Sequence, residues 1–185
     1  HEIINIQIGQ CGNKLGTEFW RYLLEEHEID QTGSIRRYND YLHDKIEVYF
    51  EVTTGAKYIP RTILIDSDDT HLSKIRTNDF PLFPAENYIY GNESCGSNWG
   101  KSFYSLGIDI LDSVIETVRE KMESCDSPQG FQITHSIGGG TGSGFGSLLQ
   151  DQLHDEYPDK VLSTFTVIPS SYISDVIIEP YNCLL

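Results

Sequence analysis

The residues best suited to bind a charged ligand lie in one glycine-rich segment, residues 138–144. Five of its seven residues are glycines, and the other two are Thr141 and Ser143. The segment follows an alternating apolar stretch (131–137) that predicts a strand, and it leads into a stretch (143–157) with apolar residues at helical spacing. Glycine lets the backbone approach a ligand closely, and the first amides of a helix are unpaired and electropositive. The segment therefore predicts an anion-binding turn, and phosphate is the anion that such turns commonly hold.

Other glycine-rich motifs fit this segment less well. A flexible Gly/Ser linker would not lie between two strongly apolar stretches. A Walker A loop ends in Gly-Lys-Ser or Gly-Lys-Thr, but no lysine lies between Met122 and Lys160. The dinucleotide-binding fingerprint G-x-G-x-x-G occurs in no register of these glycines. A phosphate would thus be held by backbone amides and hydroxyl groups, without a lysine.

Two further polar loops follow predicted strands and open predicted helices. Gln10 and Cys11 come directly after the strand predicted at residues 2–8, although Cys11 taken alone is better explained as a small core residue. A second polar, glycine-bearing loop, residues 91–98, follows the strand predicted at 87–90. In a parallel sheet, both loops would open at the same edge as the glycine-rich segment.

An acidic segment follows the strand predicted at residues 58–66. Its carboxylates, Asp66, Asp68 and Asp69, could reach a metal ion directly or through water. Alternatively, Asp69 or Thr70 could cap the short helix that follows. Both roles can hold for different residues of the segment.

The order of strands and helices predicts an α/β fold with an open parallel sheet and helices on both faces. In such sheets, ligands bind outside the carboxyl ends of the strands. The polar loops there follow residues 8, 65, 90, 137 and 168. Asp175, after the last of these strands, could meet a ribose hydroxyl or simply serve a turn. Several loops converging at one edge suit a nucleoside di- or triphosphate better than a simple phosphate.

Apolar spacing predicts which face of each helix is buried. In the first helix, Leu15, Phe19 and Leu23 recur every four residues. A longer helix is predicted at residues 99–124, with one apolar stripe along it. That stripe comprises Tyr104, Ile108, Leu111, Ile115, Val118 and Met122.

The composition is that of a globular protein with an acidic surface. The 185 residues, 38% of them apolar, can form a sizeable core in one or at most two domains. The formal net charge of −15 argues against broad contact with a nucleic-acid backbone. It also opposes phosphate binding, which predicts that a divalent cation accompanies the phosphate. Four widely spaced cysteines without a C-x-x-C motif predict reduced thiols in a cytosolic protein. The sequence contains no run of about 18 apolar residues, which is the length that would predict a membrane-spanning helix.

Three motifs together resemble the tubulin family. They are Gly9-Gln10-Cys11-Gly12-Asn13 with Phe19-Trp20, the seven-residue glycine segment, and Glu179-Pro180-Tyr181-Asn182. Cys11 after Gly9-Gln10, and Glu179 before Pro180-Tyr181, make the chain most similar to β-tubulins. The resemblance extends from residue 2 to 185 and implies a Rossmann-like, tubulin-type sheet. It also implies that residues 1–185 are the N-terminal nucleotide-binding (GTPase) domain of a tubulin, incomplete at its C-terminal end.

The resemblance implies that GTP or GDP binds with Mg²⁺ at the exchangeable site of an αβ-heterodimer. The residues that it assigns to the nucleotide are Gln10, Cys11, Cys95, Gly96, Ser97, Ser136, Gly139, Gly140, Thr141, Gly142 and Asp175. Among these, residues 95–97 would sense the γ-phosphate and Asp175 would face the ribose. Asp68 stands where β-tubulins carry a glutamate near Mg²⁺.

The resemblance also implies the activity and the partners. GTP hydrolysis is expected only on polymerisation, because the catalytic acid comes from the α subunit of the next dimer. No catalytic residue is therefore expected within this chain. The implied partners are α-tubulin and further tubulin dimers of the microtubule lattice, and the implied location is the cytoplasmic cytoskeleton.

Departures from the family pattern keep two alternatives open. Asp68-Asp69-Thr70 replaces Glu-Pro-Gly, residues 94–98 replace Gly-Ala-Gly-Asn-Asn, and Lys14 replaces a glutamine beside the base and ribose. One alternative is a degenerate tubulin-like fragment with weak or no nucleotide binding. The other is an independent tubulin-like GTPase, which the absence of a His/carboxylate constellation and of a loop lysine disfavours.

Overall fold

The computed structural model describes residues 1–36, 45–53, 55–79, 82–170, 172, 174 and 176–185. Its strands are β1 (Glu2–Ile8), β2 (Phe50–Val52), β3 (Tyr58–Pro60), β4 (Thr62–Asp66), β5 (Tyr88–Tyr90), β6 (Pro128–Ser136) and β7 (Val161–Val167). Its α-helices are α1 (Gly9–Glu26), α2 (Leu72–Lys74), α3 (Trp99–Lys101), α4 (Gly107–Glu123), α5 (Gly146–Glu156) and α6 (Glu179–Asn182). A 3₁₀ turn, Ala85–Asn87, precedes β5, and π-helical turns lie at Ile75–Asp79, Ser102–Leu106 and Thr141–Phe145.

Five parallel strands form the main sheet in the order β5-β4-β1-β6-β7. This confirms the predicted α/β fold, in which all five carboxyl ends point to one edge. β2 and β3 form a separate antiparallel pair. The prediction of a single strand at residues 58–66 is therefore wrong, because the chain leaves one sheet at Pro60 and joins the other at Thr62. Pro60 cannot donate a ladder hydrogen bond, so it suits the end of a short edge strand.

Apolar side chains pack on both faces of the sheet. Along β1, Ile4, Ile6 and Ile8 are fully buried in a cluster with residues of α4 and α5. The opposite face is covered by α1, whose Trp20 is fully buried among residues of β2 and β4. Burial on both faces is what parallel strands with crossover helices produce.

Helix α1 buries a different face from the one that its apolar spacing predicts. Leu15 is 45% exposed, and Phe19 and Leu23 are only partly buried. The buried positions are Gly9, Gly12, Asn13, Gly16, Thr17, Trp20 and Leu24. A Cβ at Gly12 would overlap the Thr134 carbonyl. The helix thus lies close to the sheet through small residues, which a search for large apolar residues overlooks.

The expected stripe on the long helix is correct only in its second half. Tyr104 and Ile108 are exposed, whereas the buried positions are Gly107, Ile110, Val114, Val118 and Met122. The π-helical turn Ser102–Leu106 adds a residue to one turn and so changes which face meets the sheet. A Cβ at Gly107 would lie 3.1 Å from the ring of Phe145, so only a small residue fits at this crossing.

Candidate functional site

One cavity of about 450 Å³ opens at the carboxyl edge of the sheet. The predicted site residues that line it are Gln10, Cys11, Asp68, Cys95, Ser97, Ser136, Gly139, Gly140, Thr141 and Gly142. Gly96 belongs to the same loop but does not lie on the cavity wall. Asp175 lies outside the described residues. The structure thus brings together residues from four separate loops at the edge where a ligand was expected.

At Gly140 and Gly142, the glycine-rich segment passes through a space too narrow for a side chain. A Cβ at Gly140 would lie 2.5 Å from Sγ of Cys95 and 2.8 Å from the amide nitrogen of Asn98. A Cβ at Gly142 would lie 2.5 Å from the Ser136 carbonyl oxygen. These glycines therefore allow the loops to pack against one another, which is a stricter requirement than leaving room for a ligand.

Two helix N-termini meet at this cavity, and neither has a side-chain cap. Gly140 is the cap position of the turn Thr141–Phe145, and Ile8 is that of α1. Gly9 adopts φ +74°, and a Cβ there would lie 3.1 Å from the Gly142 amide nitrogen. Uncapped first-turn amides are hydrogen-bond donors at the positive end of the helix dipole. The backbone around the cavity therefore fits a phosphate group.

A buried hydrogen-bond network connects three of the loops. Sγ of Cys95 lies 3.2 Å from Oγ1 of Thr141, which donates to Oγ of Ser67 at 3.0 Å. Ser67 lines the cavity but has no distinctive sequence signal, so the sequence analysis missed it. The network fixes the position of Thr141 relative to the ends of β4 and β5.

Asn182 joins two loops of the site from outside the cavity wall. Its Nδ2 donates to the carbonyl oxygens of Ser97 and Gly138, each at 2.8 Å. The side chain is buried, with 7% of the residue exposed. The sequence places Asn182 in the motif 179–182, but the two contacts depend on the fold and could not be predicted from it.

His135 supports the glycine-rich segment from the strand side. Its Nδ1 lies 2.7 Å from the Gly142 carbonyl oxygen, and its Nε2 lies 3.1 Å from Oγ1 of Thr166. Burial lowers the pKa of His135 below the usual histidine value. A neutral ring that donates from Nδ1 and accepts at Nε2 satisfies both contacts. The sequence analysis assigned His135 no role.

The carboxylates of the acidic segment differ in burial and in hydrogen bonding. Asp66 is buried, and its Oδ2 has no hydrogen-bond partner. Burial and the neighbouring Asp68 raise the pKa of Asp66 to about 6. Asp68 accepts a hydrogen bond from the Thr70 amide at 2.8 Å, and its bonds to Thr70 lower its pKa. Asp69 instead forms an ion pair with Arg76 at 3.3 Å.

The expected helix cap does not form in this segment. His71 is the cap position of α2, and it makes no side-chain cap hydrogen bond. Within the described part of the chain, no three histidine, cysteine, aspartate or glutamate side chains converge as metal ligands. A metal ion at Asp66 or Asp68 would therefore need further oxygen ligands, which phosphate groups and water supply.

Comparison with protein-family models assigns residues 2–185 to the Tubulin/FtsZ family, GTPase domain. The match implies that the bound ligand is GTP or GDP, and members of this family oligomerise. None of the helices that the structure describes combines the length and the apolar character needed to cross a membrane. Together with the parallel sheet and the glycine-lined cavity at its carboxyl edge, the match shows that the chain belongs to the Tubulin/FtsZ family and carries its GTPase domain.

Proposed function

We propose that the chain is a β-tubulin-like, GTP-binding subunit of microtubules. It binds GTP at the exchangeable site of an αβ-heterodimer and hydrolyses the nucleotide on assembly. The observation that carries this proposal is the pair of uncapped helix N-termini that face one cavity across Gly9 and Gly142. Such amides favour an anion with several phosphate oxygens.

The nucleotide would contact several loops at once. Backbone amides of residues 139–142, Thr141 among them, with the hydroxyl group of Ser136, would bind the phosphates. The Thr141 hydroxyl donates to Ser67 and so holds this part of the segment in place. Gln10 and Cys11 would contact the same end of the ligand, and burial raises the pKa of the Cys11 thiol, which favours the uncharged form. Residues 95–97 would respond to the γ-phosphate, and Asp175 would face the ribose.

Magnesium would offset the negative charge of the cavity. Asp66, Asp68 and Glu179 all line the wall, and carboxylates repel phosphate unless a cation lies between them. The Oδ2 of Asp66 is buried without a hydrogen-bond partner, so a cation would compensate for the hydration that this oxygen has lost. We therefore add Asp66 to Asp68 as a ligand of Mg²⁺, directly or through water.

Hydrolysis would depend on a partner. The described residues on the cavity wall include His71 and three carboxylates. The proposed mechanism gives none of them the role of catalytic acid, because that group comes from the α subunit of the next dimer. The partners are then α-tubulin and further dimers, and the location is the cytoplasmic cytoskeleton.

Titration of the chain with fluorescent GTP, with and without Mg²⁺, tests this proposal. We expect binding that requires Mg²⁺, and we expect Gly142→Val to abolish it because the side chain would displace the loop from Ser136. Gly55→Val is the matched control, since a Cβ at Gly55 has no atom within 4 Å.

Two outcomes of this titration would contradict the proposal. Undetectable binding under both conditions would indicate a degenerate tubulin-like fragment. Steady GTP turnover by dilute, unassembled protein would indicate an independent GTPase.

A further inference from the structure

A second cavity adjoins the nucleotide cavity. It has a volume of about 300 Å³ and lies between α1 and the residues around α2. Gln10, Lys14 and His71 line both cavities, whereas Arg21 and Lys74 line only the second. We call this second cavity the α1–α2 groove. Because the two cavities share three wall residues, a small ligand in the groove would lie next to the nucleotide.

The groove is basic in a strongly acidic chain. The chain has 13 lysines and arginines against 28 aspartates and glutamates, yet Lys14, Arg21 and Lys74 all line this groove. Among the residues that the structure describes, Glu18 supplies the only carboxylate on the groove wall. Glu18 is already bound by Arg21, through contacts of 2.7 and 2.8 Å to its two oxygens. The wall therefore retains two positive charges that no groove carboxylate neutralises.

Those two charges belong to Lys14 and Lys74. Neither lysine takes part in any ion pair formed within the described ranges of the chain. The Thr17 hydroxyl is not available to a ligand as a donor, since it donates to the Asn13 carbonyl at 2.7 Å. The exposed amide group of Gln10 supplies further donors at the junction with the nucleotide cavity. Ammonium and amide donors without a free carboxylate match a compact oxyanion with several acceptor oxygens.

We propose that the α1–α2 groove binds a phosphate-class oxyanion beside the bound nucleotide. Lys14 and Lys74 donate charge-assisted hydrogen bonds to it from opposite walls, and Gln10 lies between the two sites. The oxyanion is inorganic phosphate, because the proposed function already places the terminal phosphate of GTP at residues 95–97 and 139–142. That the groove lies beside a nucleotide rests on the proposed function, but its charge and shape do not.

Inorganic phosphate titrated into the chain saturated with Mg²⁺ and a non-hydrolysable GTP analogue tests the groove, with ³¹P NMR as the readout. The analogue fills every phosphate position of the glycine-lined site, so the remaining phosphate binding reports the groove. We expect saturable binding that weakens as salt is added. Lys74→Gln should lower the phosphate affinity about fivefold, the upper range for one exposed charge pair. Lys57→Gln, at an exposed lysine that lines neither cavity, should change nothing.

Two results would overturn this proposal without deciding the proposed function. They are the absence of phosphate binding to a chain that binds the GTP analogue, and equal phosphate affinity in Lys74→Gln and the unmodified chain. If the chain binds no analogue, the proposed function fails instead, and the same titration of the nucleotide-free chain with both lysine variants still tests the groove.

Discussion

Three polar side chains hold the loops around the nucleotide cavity in place. Asn182 connects the carbonyls of two loops, His135 supports Gly142, and Thr141 bonds to Ser67 across the sheet edge. Each bond compensates a buried group for the hydration that it loses on folding. Breaking one therefore leaves an unpaired polar group in the interior. These residues position the backbone donors rather than presenting their own charge to a ligand.

Asn182→Asp should weaken nucleotide binding. The carboxylate cannot donate to the carbonyls of Ser97 and Gly138, and it would repel both. Because these bonds hold the two loops in their binding positions, we expect the GDP affinity to fall by about tenfold, which is about 1.4 kcal/mol. Isothermal titration calorimetry of the folded protein with GDP measures this affinity. Asn92→Asp, which adds the same charge at an exposed position, is the control. Unchanged GDP affinity with a reduced melting temperature would limit Asn182 to a structural role.

His135 should make the stability of the fold decrease in mild acid. Burial lowers its pKa in the folded chain, whereas the unfolded chain binds a proton near pH 6.5. Below that pH the unfolded state holds more protons, so the free energy of unfolding falls as the pH falls. The decrease in the free energy of unfolding caused by this residue is at most about 1.4 kcal/mol per pH unit.

Urea unfolding at pH 7.5 and pH 5.5 measures this effect. His135→Gln should remove part of the loss between the two pH values, because glutamine does not titrate. His154→Gln, at an exposed histidine of α5, should leave the loss unchanged. An equal pH dependence in the His135 variant and the unmodified chain would contradict the assignment.

At the scale of secondary-structure elements, the contacts between α1 and the sheet depend on small residues. Gly12 and Gly16 of α1 lie against β6 and β1, where a Cβ at Gly16 would overlap the Gln7 side chain. Gln7 is itself fully buried beside Asn5 and hydrogen-bonded to Thr62. This close approach brings the N-terminus of α1 to the cavity edge.

Gly16→Leu and Leu15→Ala test this packing directly. Overpacking at Gly16 should destabilise the fold by about 1–3 kcal/mol. Leu15→Ala, at a residue that is 45% exposed, should change the free energy of unfolding by less than about 0.5 kcal/mol. Chemical denaturation of both variants is the measurement. A larger loss of folding stability in Leu15→Ala than in Gly16→Leu would contradict this packing and support the buried face predicted from apolar spacing.

The sequence predicts the sheet and its functional edge better than it predicts the packing. Residues 63–65 and the alternating run of β6 are apolar enough to identify buried strands, and the glycine-rich turn marks the edge. Gly16 and Asn182 are different, because their roles depend on what the fold places opposite them. Apolar spacing at Leu15 is misleading for the same reason, since contact with the sheet is made by its smaller neighbours.

At the scale of the whole molecule, the chain combines an acidic surface with one electropositive backbone site. The net charge of −15 opposes the binding of any anion, while two helix N-termini and the basic α1–α2 groove favour it locally. Membership of the Tubulin/FtsZ family implies GTP or GDP as the ligand. The remaining proposal is that the phosphates lie on the backbone amides of the glycine-rich segment.

A crystal structure of the chain with Mg²⁺ and a GTP analogue tests that proposal most directly. We predict phosphate oxygens within about 3 Å of the amide nitrogens of residues 139–142, a normal hydrogen-bond distance. Phosphates bound elsewhere, with those amides facing only water, would contradict it.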